Sequence, residues 1–181
     1  EVETTVRAIN KFENKRLLKV IIHNRNLRWK VDRIIEKKID NKKVRSISRR
    51  AKYILIQLKD LFIMLHLGMS GNLRIQKNNN NYFKKHDHAE FVFKDEKIIF
   101  NDVRRFGSIH LTKNPYDHNL IKDLGIEPLS DQFDKDYLYR ICTNSNLQIK
   151  KLLMDQRKIV GVGNIYASES LFLSNISPER I

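Results

Sequence analysis

Two adjacent arginines, Arg104 and Arg105, interrupt the apolar run FNDVRRFGSIHL at residues 100–111. Phe100, Val103, Phe106, Ile109 and Leu111 favour burial. A strand sends successive side chains to opposite faces, so at least one arginine must leave the core side. Gly107, directly after Phe106, permits a bend or a close backbone approach. The run therefore presents a guanidinium and an aromatic ring together at a bend. Four other stretches combine residues that could do chemistry. RRAKYILIQL (49–58) sets Lys52 between Arg49-Arg50 and an apolar strand, and HLGMSGNLRI (66–75) places His66 and Met69 around two glycines. HDHAEF (86–91) offers His86 and His88, and GVGNIYASESLF (161–172) opens a helix with Asn164. Glycine-rich backbone amides and an Asn side chain at a helix start can hold a phosphate through N–H donors and the helix dipole. Each stretch also has a plainer reading. Met69 fits as core filler, GVGN as a helix-joining turn, and His86-x-His88 as a solvated loop pair lacking the further ligands a metal needs.

The elements that must position these residues fall into two groups. EVETTVRAINKF spaces Val2, Val6, Ile9 and Phe12 as a helix, acidic at its start and basic at its end. Strand-like segments follow at 17–24, 52–58, 61–67, 72–76, 88–93 and 97–102, with a short helix at 31–39. Lys59-Asp60 and Asp95-Glu96 read as hairpin turns. The Asn tract at 76–87 reads as a mobile loop joining two strands. Beyond residue 115 the pattern turns helical: 130–142 with Ser130 as N-cap, 147–155, and 164–175. The expectation is an α+β chain, mostly antiparallel β over 1–114 and helical over 115–181.

Charge narrows the partner. The chain has 181 residues, 35 Lys+Arg against 21 Asp+Glu, and a net charge of +14. Residues 1–53 hold 17 Lys/Arg and 6 Asp/Glu, which is +11 of that total. Such a concentration points to a polyanion, most often nucleic acid, although an AT-rich coding bias would also enrich lysine. The single Cys142 excludes an intrachain disulfide or a cysteine-rich zinc site within the chain and fits a reducing, cytoplasmic setting. No apolar stretch approaches the ~20 residues that span a bilayer, and the acidic, amphipathic opening does not read as a signal peptide.

In combination the motifs are specific. EVETT, RRAKY, HLGMSG, HDH, RRFG, LGIEPLS and LMDQRKIVGVGNIYASESLF occur in the order and approximate spacing of bacterial formamidopyrimidine-DNA glycosylases, which the chain resembles from Glu1 to about Arg180. The resemblance implies an N-terminal β-sandwich followed by a helix–two-turn–helix domain. It also implies base-excision repair: removal of oxidised purines from duplex DNA and cleavage of the abasic strand by β/δ-elimination. Lys52 matches the catalytic lysine that binds phosphate near the lesion and assists elimination. His66, His86 and Asn164 match DNA contacts, and Arg104 matches the residue that faces the orphaned base. Met69, Arg104 and Phe106 match the trio that fills the gap left by a flipped nucleotide, which would otherwise cost a few kcal/mol in lost stacking and pairing. Glu1 and Glu169 match acidic residues that support the active site. Ser145 stands where the family often has lysine; Lys150 and Lys151 are expected to replace it in part.

The match also implies absences. Family members begin Pro-Glu-Leu-Pro before EVET, and the proline amine attacks the sugar C1′. An N-terminal amine suits that role because its pKa of about 8 leaves some of it unprotonated, unlike a lysine near 10.4. Glu1's own amine would start up to ~13 Å short, at roughly 3.3 Å per extended residue. A zinc finger with four cysteines normally closes the family's chains. The expectation is a piece of a bifunctional glycosylase/lyase, inactive as it stands, monomeric, without cofactor or metal in this chain, and bound to damaged double-stranded DNA. Two alternatives remain: a non-catalytic relative that recognises damaged or kinked DNA, and an RNA-binding protein sharing the helical element, against which HLGMSG and RRFG argue.

Overall fold

The computed structural model describes residues 1–80 and 82–181; Asn81, within the expected Asn-tract loop, lies outside the described residues. The chain divides into two compact units, Glu1–His118 and Asn119–Ile181. The first unit runs past residue 114 because Pro115–Asp117 form a 3-10 turn with Pro115 buried, and His118 packs its ring on His110 at 5.0 Å.

The first unit opens with α1 (Val2–Ile9) and a 3-10 turn at Asn10–Phe12. Strands β1 (Arg16–Ile22), β2 (Asp40–Lys43), β3 (Ser46–Arg50), β4 (Tyr53–Gln57) and β5 (Phe62–His66) follow, with α2 (Ile34–Lys38) between β1 and β2. The remaining strands are β6 (Gly71–Lys77), β7 (Asp87–Val92), β8 (Glu96–Asp102) and β9 (Ser108–Thr112). They form two antiparallel sheets, ordered β2-β1-β7-β8-β6 and β3-β4-β5-β9. Val20, Phe91, Ile98 and Phe100 from one sheet meet Ile54, Ile56, Ile63, Leu65 and Ile109 from the other in a single core, which Val6, Ile9 and Phe12 of the opening helical segment complete. Both turns expected from the sequence close hairpins: Leu58 N–H donates to Leu61 O at 2.8 Å, and Phe93 N–H to Glu96 O at 2.9 Å.

Strands β2 and β3 were not anticipated. Each is the edge of its sheet, and together they read DNKK and SISRR. Lysine and arginine on an edge discourage pairing with another chain, and the same charges erase the apolar alternation by which a strand is recognised.

The second unit holds α3 (Lys135–Thr143), α4 (Ile149–Leu153) and α5 (Asn164–Leu173). Ser130 does not cap α3. Asp134 does, accepting Tyr137 N–H at 2.7 Å, while Ser130 Oγ donates to Glu127 O at 2.9 Å. Within this unit the LGIEP segment docks on residues 156–160. Gly125 N–H donates to Gln156 O, Ile126 N–H to Lys158 O, and Val160 N–H to Ile126 O. A Cβ on Gly125 would stand 2.2 Å from Lys158 O, so only glycine permits that approach.

Candidate nucleic-acid interface

Strand register gathers the first unit's candidate residues at one end of the sandwich. Arg50 pairs with Tyr53, Tyr53 with His66, and His66 with Ser108, so four strands end together there. Lys52, half-buried, sits at the tip of the β3–β4 hairpin, beside Ala51 at φ +52°. Arg49 braces that tip: its Nη1 donates to Ala51 O at 3.0 Å and its Nε to Glu3 Oε2 at 3.1 Å, tying α1 to the hairpin. Hydrogen bonds from Arg7 and Arg49 hold the Glu3 carboxyl below the usual range. Glu1, as N-cap of α1, accepts Thr5 N–H and Oγ on its carbonyl; its exposed side chain makes no capping bond.

His66 is set up as a neutral donor. Gly68 N–H donates to Nδ1 at 3.0 Å, so that nitrogen carries no proton and the neutral ring bears its hydrogen on Nε2. Burial, then the charges of Arg28 and Lys52, push its pKa below the ordinary histidine value. The ring packs on Tyr53 at 4.8 Å, and burial raises the Tyr53 phenol. Sequence reasoning missed Arg28. Its guanidinium lies over Trp29 at 4.8 Å and its backbone N–H donates to Gly107 O at 3.2 Å. Its only signal was one cation among many in RNLRWK.

The two loops beyond these strands are locked together. Gly68, at φ +65°, lies so close to the second loop that a Cβ would stand 2.6 Å from Phe106 C and 2.7 Å from Gly107 N. Asp102, with no exposed surface, bridges both loops. Its Oδ1 accepts Ser70 Oγ at 2.5 Å and its Oδ2 accepts Gly107 N–H at 2.7 Å, while Ser70 Oγ accepts Arg104 N–H at 3.0 Å. Met69 is 73% exposed and Phe106 43%, with the Arg104 guanidinium over the Phe106 ring at 4.7 Å. The structure thus brings the three expected gap-filling residues onto adjoining loops and corrects the role given to Gly107. That residue is buried; a Cβ there would strike the Phe100 ring at 2.6 Å and His66 O at 2.7 Å, so its lack of a side chain serves internal packing. The left-handed bend falls on Arg105 instead, at φ +59°. Ser70 and Asp102 were not singled out from the sequence, where each reads as an ordinary turn residue.

The histidine pair separates. His88 is no solvated loop residue: it is buried, with Nε2 2.7 Å from Asp102 O. His86 stays half-buried, its carbonyl accepting Asp102 N–H at 3.1 Å, which anchors it beside the same aspartate.

In the second unit, Asn164 opens α5 with an exposed side chain, and the N-cap Gly163 supplies no side-chain bond. The first-turn amides of such a helix are donors without intrahelical partners. Gln156 fixes the turn that leads in: Oε1 accepts Gly161 N–H at 3.0 Å and Nε2 donates to Val162 O at 3.0 Å. Gly161 itself is at φ +79°. Lys150 lies half-buried on α4 and Lys151 is exposed. Ser145 Oγ accepts Leu147 N–H at 3.2 Å, and Glu169 is exposed on α5. Burial raises the Cys142 thiol. Among the described residues, no three His, Cys, Asp or Glu side chains converge as metal ligands, so the residues present do not fit a structural zinc site. No helix among them is long and apolar enough to cross a membrane.

Family comparison agrees with this arrangement. The model of the formamidopyrimidine-DNA glycosylase N-terminal domain matches residues 1–109, and that of the same family's H2TH domain matches residues 124–181. The chain belongs to the formamidopyrimidine-DNA glycosylase family. It is 44% identical over 182 residues to the formamidopyrimidine-DNA glycosylase of Psychromonas ingrahamii, covering 99% of this chain and 67% of the relative. The enzyme of Wolbachia pipientis is 44% identical over 174 residues, with 95% and 64% covered. Among solved structures, the Lactococcus lactis glycosylase in complex with DNA containing N7-benzyl-Fapy-dG matches at TM-score 0.91 and 30% identity, over 99% of this chain and 68% of that one. The same glycosylase bound non-covalently to abasic-site DNA matches at TM-score 0.90 and 30% identity, over 99% and 70%. The chain therefore spans about two thirds of the length of these formamidopyrimidine-DNA glycosylases.

Proposed function

We propose that this member of the family serves base-excision repair of oxidised bases, recognising duplex DNA at an oxidised purine or abasic site. The observation that carries the reading is the Asp102 bridge, which sets Met69 beside Arg104 and Phe106 at the end of the sandwich where His66, Lys52 and Arg28 also lie. A nucleotide turned out of the stack leaves a hole, and side chains in it offset an unstacking cost of a few kcal/mol. Phe106 supplies the wedge. Arg104 can donate hydrogen bonds to the unpaired partner base, and Met69 fills the remaining apolar space. In the first unit, His66 Nε2–H and Lys52 suit backbone phosphates; in the second, Asn164 with the first amides of α5 suits phosphate as well. His86 and Lys150 add further backbone contacts. In the family's β/δ-elimination of the abasic strand, Lys52 is the residue of this chain suited to hold phosphate near the reacting sugar, with Glu1 and Glu169 as acidic support. We assign these residues recognition and phosphate grip.

Duplex titration tests this. The protein should bind a duplex holding a stable abasic analogue opposite cytosine more tightly than the undamaged duplex. At about −0.9 per neutralised phosphate, log K should fall against log salt with a slope of roughly −3 to −5. Arg104→Ala should reduce discrimination between bases opposite the lesion at a cost of ~1–3 kcal/mol. Phe106→Ala should weaken binding whatever that base is. Equal affinity for damaged and undamaged duplex, or a binding curve flat in salt, would overturn the reading.

A further inference from the structure

The first unit carries a second concentration of cations that the proposed site does not use. Arg16, Lys42, Lys43, Arg45 and Lys59 surround a concavity of about 510 Å³ whose lining includes no carboxylate. Arg16 Nη1 donates to Asn41 O at 3.1 Å. The other four cations, Lys42, Lys43, Arg45 and Lys59, have no ion pair or side-chain hydrogen bond among the described residues.

Its position follows from strand register. In the four-stranded sheet, Ser46, Gln57, Phe62 and Thr112 share one end, next to Arg45 and Lys59; Arg50, Tyr53, His66 and Ser108 share the other. In the five-stranded sheet, Arg16 pairs with Lys43 at the start of β1, whereas Ile22 pairs with Ala89, beside His88 and Asp102, at its finish. Both sheets put the concavity at the end opposite His66. The offset is four residues, or ~13 Å at 3.3 Å per residue, before any side chain is counted.

We propose that this concavity is a second phosphate site that takes the backbone of another DNA segment, so that one molecule bridges two duplexes and passes from one to the next without full release. The inference rests on the DNA reading above. Three lysines and Arg45, beside an Arg16 held by a backbone carbonyl, suit a sequence-independent polyanion, because lysine offers charge without a fixed hydrogen-bond pattern. Two contacts on one protein also let an incoming duplex engage before the first departs.

The test is exchange kinetics. The protein is loaded with a fluorescent duplex carrying an abasic analogue, and its departure is followed at rising concentrations of unlabelled duplex. The observed rate should rise with competitor, by about fivefold across the accessible range, as expected for a transient two-duplex complex. In the Lys43→Gln/Arg45→Gln/Lys59→Gln variant the rate should be independent of competitor, with affinity for a single duplex within twofold of wild type. These residues are exposed, and an unchanged melting temperature establishes that the variant is folded. A wild-type rate independent of competitor overturns the proposal, as does a variant that keeps the dependence. Poly-glutamate accelerating exchange as well as duplex of matched charge would reassign the face to acidic proteins. Inorganic phosphate abolishing the dependence at concentrations that leave the first duplex bound would support a true phosphate site. Loss of all duplex binding would instead remove the DNA reading itself, an outcome distinct from any of these.

Discussion

Ser70 makes one side-chain oxygen serve two loops: it donates to Asp102 and receives the backbone N–H of Arg104. The Arg104 side chain is exposed and stacks on Phe106, so its aim depends on where that backbone is held. Ser70→Ala should therefore act like a partial Arg104→Ala. We expect ~1 kcal/mol of lost stability, the usual net worth of such a hydrogen bond. Discrimination between cytosine and adenine opposite an abasic analogue should shrink toward that of Arg104→Ala, while affinity for single-stranded abasic DNA stays near wild type. Binding to matched duplex panels reads this directly, and unchanged opposite-base discrimination would mean that Ser70 only closes its own turn. His66 shows how environment selects a role at the same scale. On the proposed reading, a half-buried imidazole flanked by Arg28 and Lys52, with Nδ1 already accepting from Gly68, would meet a phosphate as a neutral hydrogen-bond donor rather than a cation. Counting it as charge would overstate the salt slope.

The elements were unequally legible in the sequence. Continuously apolar strands such as YILIQ and FIMLH, whose three central residues are buried, announced themselves through β-branched and aromatic runs. The edges β2 and β3 did not, since their charge hides their period. The site followed the same division. Lys52, Met69, Arg104, Phe106 and Asn164 stand in motifs long enough to be matched. Arg28, Ser70, Asp102 and Gln156 act through contacts that only tertiary structure creates. Gly68 lies between these cases: the sequence marks a turn, but not that its backbone is pressed against the next loop. Gly68→Ala tests that element-level joint. Alanine is disfavoured at φ +65°, and its Cβ would stand 2.6 Å from backbone atoms of Phe106 that cannot swing away. We expect a loss of about 2 kcal/mol or more in thermal or denaturant unfolding. Duplex binding should lose its preference for the abasic analogue even below the melting transition. A variant as stable and selective as wild type would show that the two loops can part without consequence.

Across the whole molecule, an excess of positive charge coexists with an interior in which burial disfavours a further cation, and the histidines register the tension. His110, on β9, sits between the Trp29 ring at 5.6 Å and the His118 ring at 5.0 Å, and its Nε2 is buried with no hydrogen-bond partner among the described residues. Burial first, then the charges of His118 and His66, hold its pKa at about 4. An unfolded histidine titrates near 6.5. Between these two values the unfolded chain binds more protons than the folded one, so acid favours unfolding. The contribution is complete above pH 6.5 and is lost progressively as pH falls toward 4. Discounted for the solvent the ring still meets, it amounts to roughly 1–2 kcal/mol. His66 and His118 are shifted in the same direction and add to the effect. Asp87 and Glu90, held down by Arg74 and Lys97, contribute only where carboxylates begin to protonate. Urea unfolding of wild type and His110→Gln at pH 7.5, 6 and 5 separates these sources. Wild type should lose stability over this series, and the variant should lose about 1 kcal/mol less, because glutamine carries no proton to gain. Parallel pH slopes for the two proteins would place the acid sensitivity on other groups and leave His110 as packing alone.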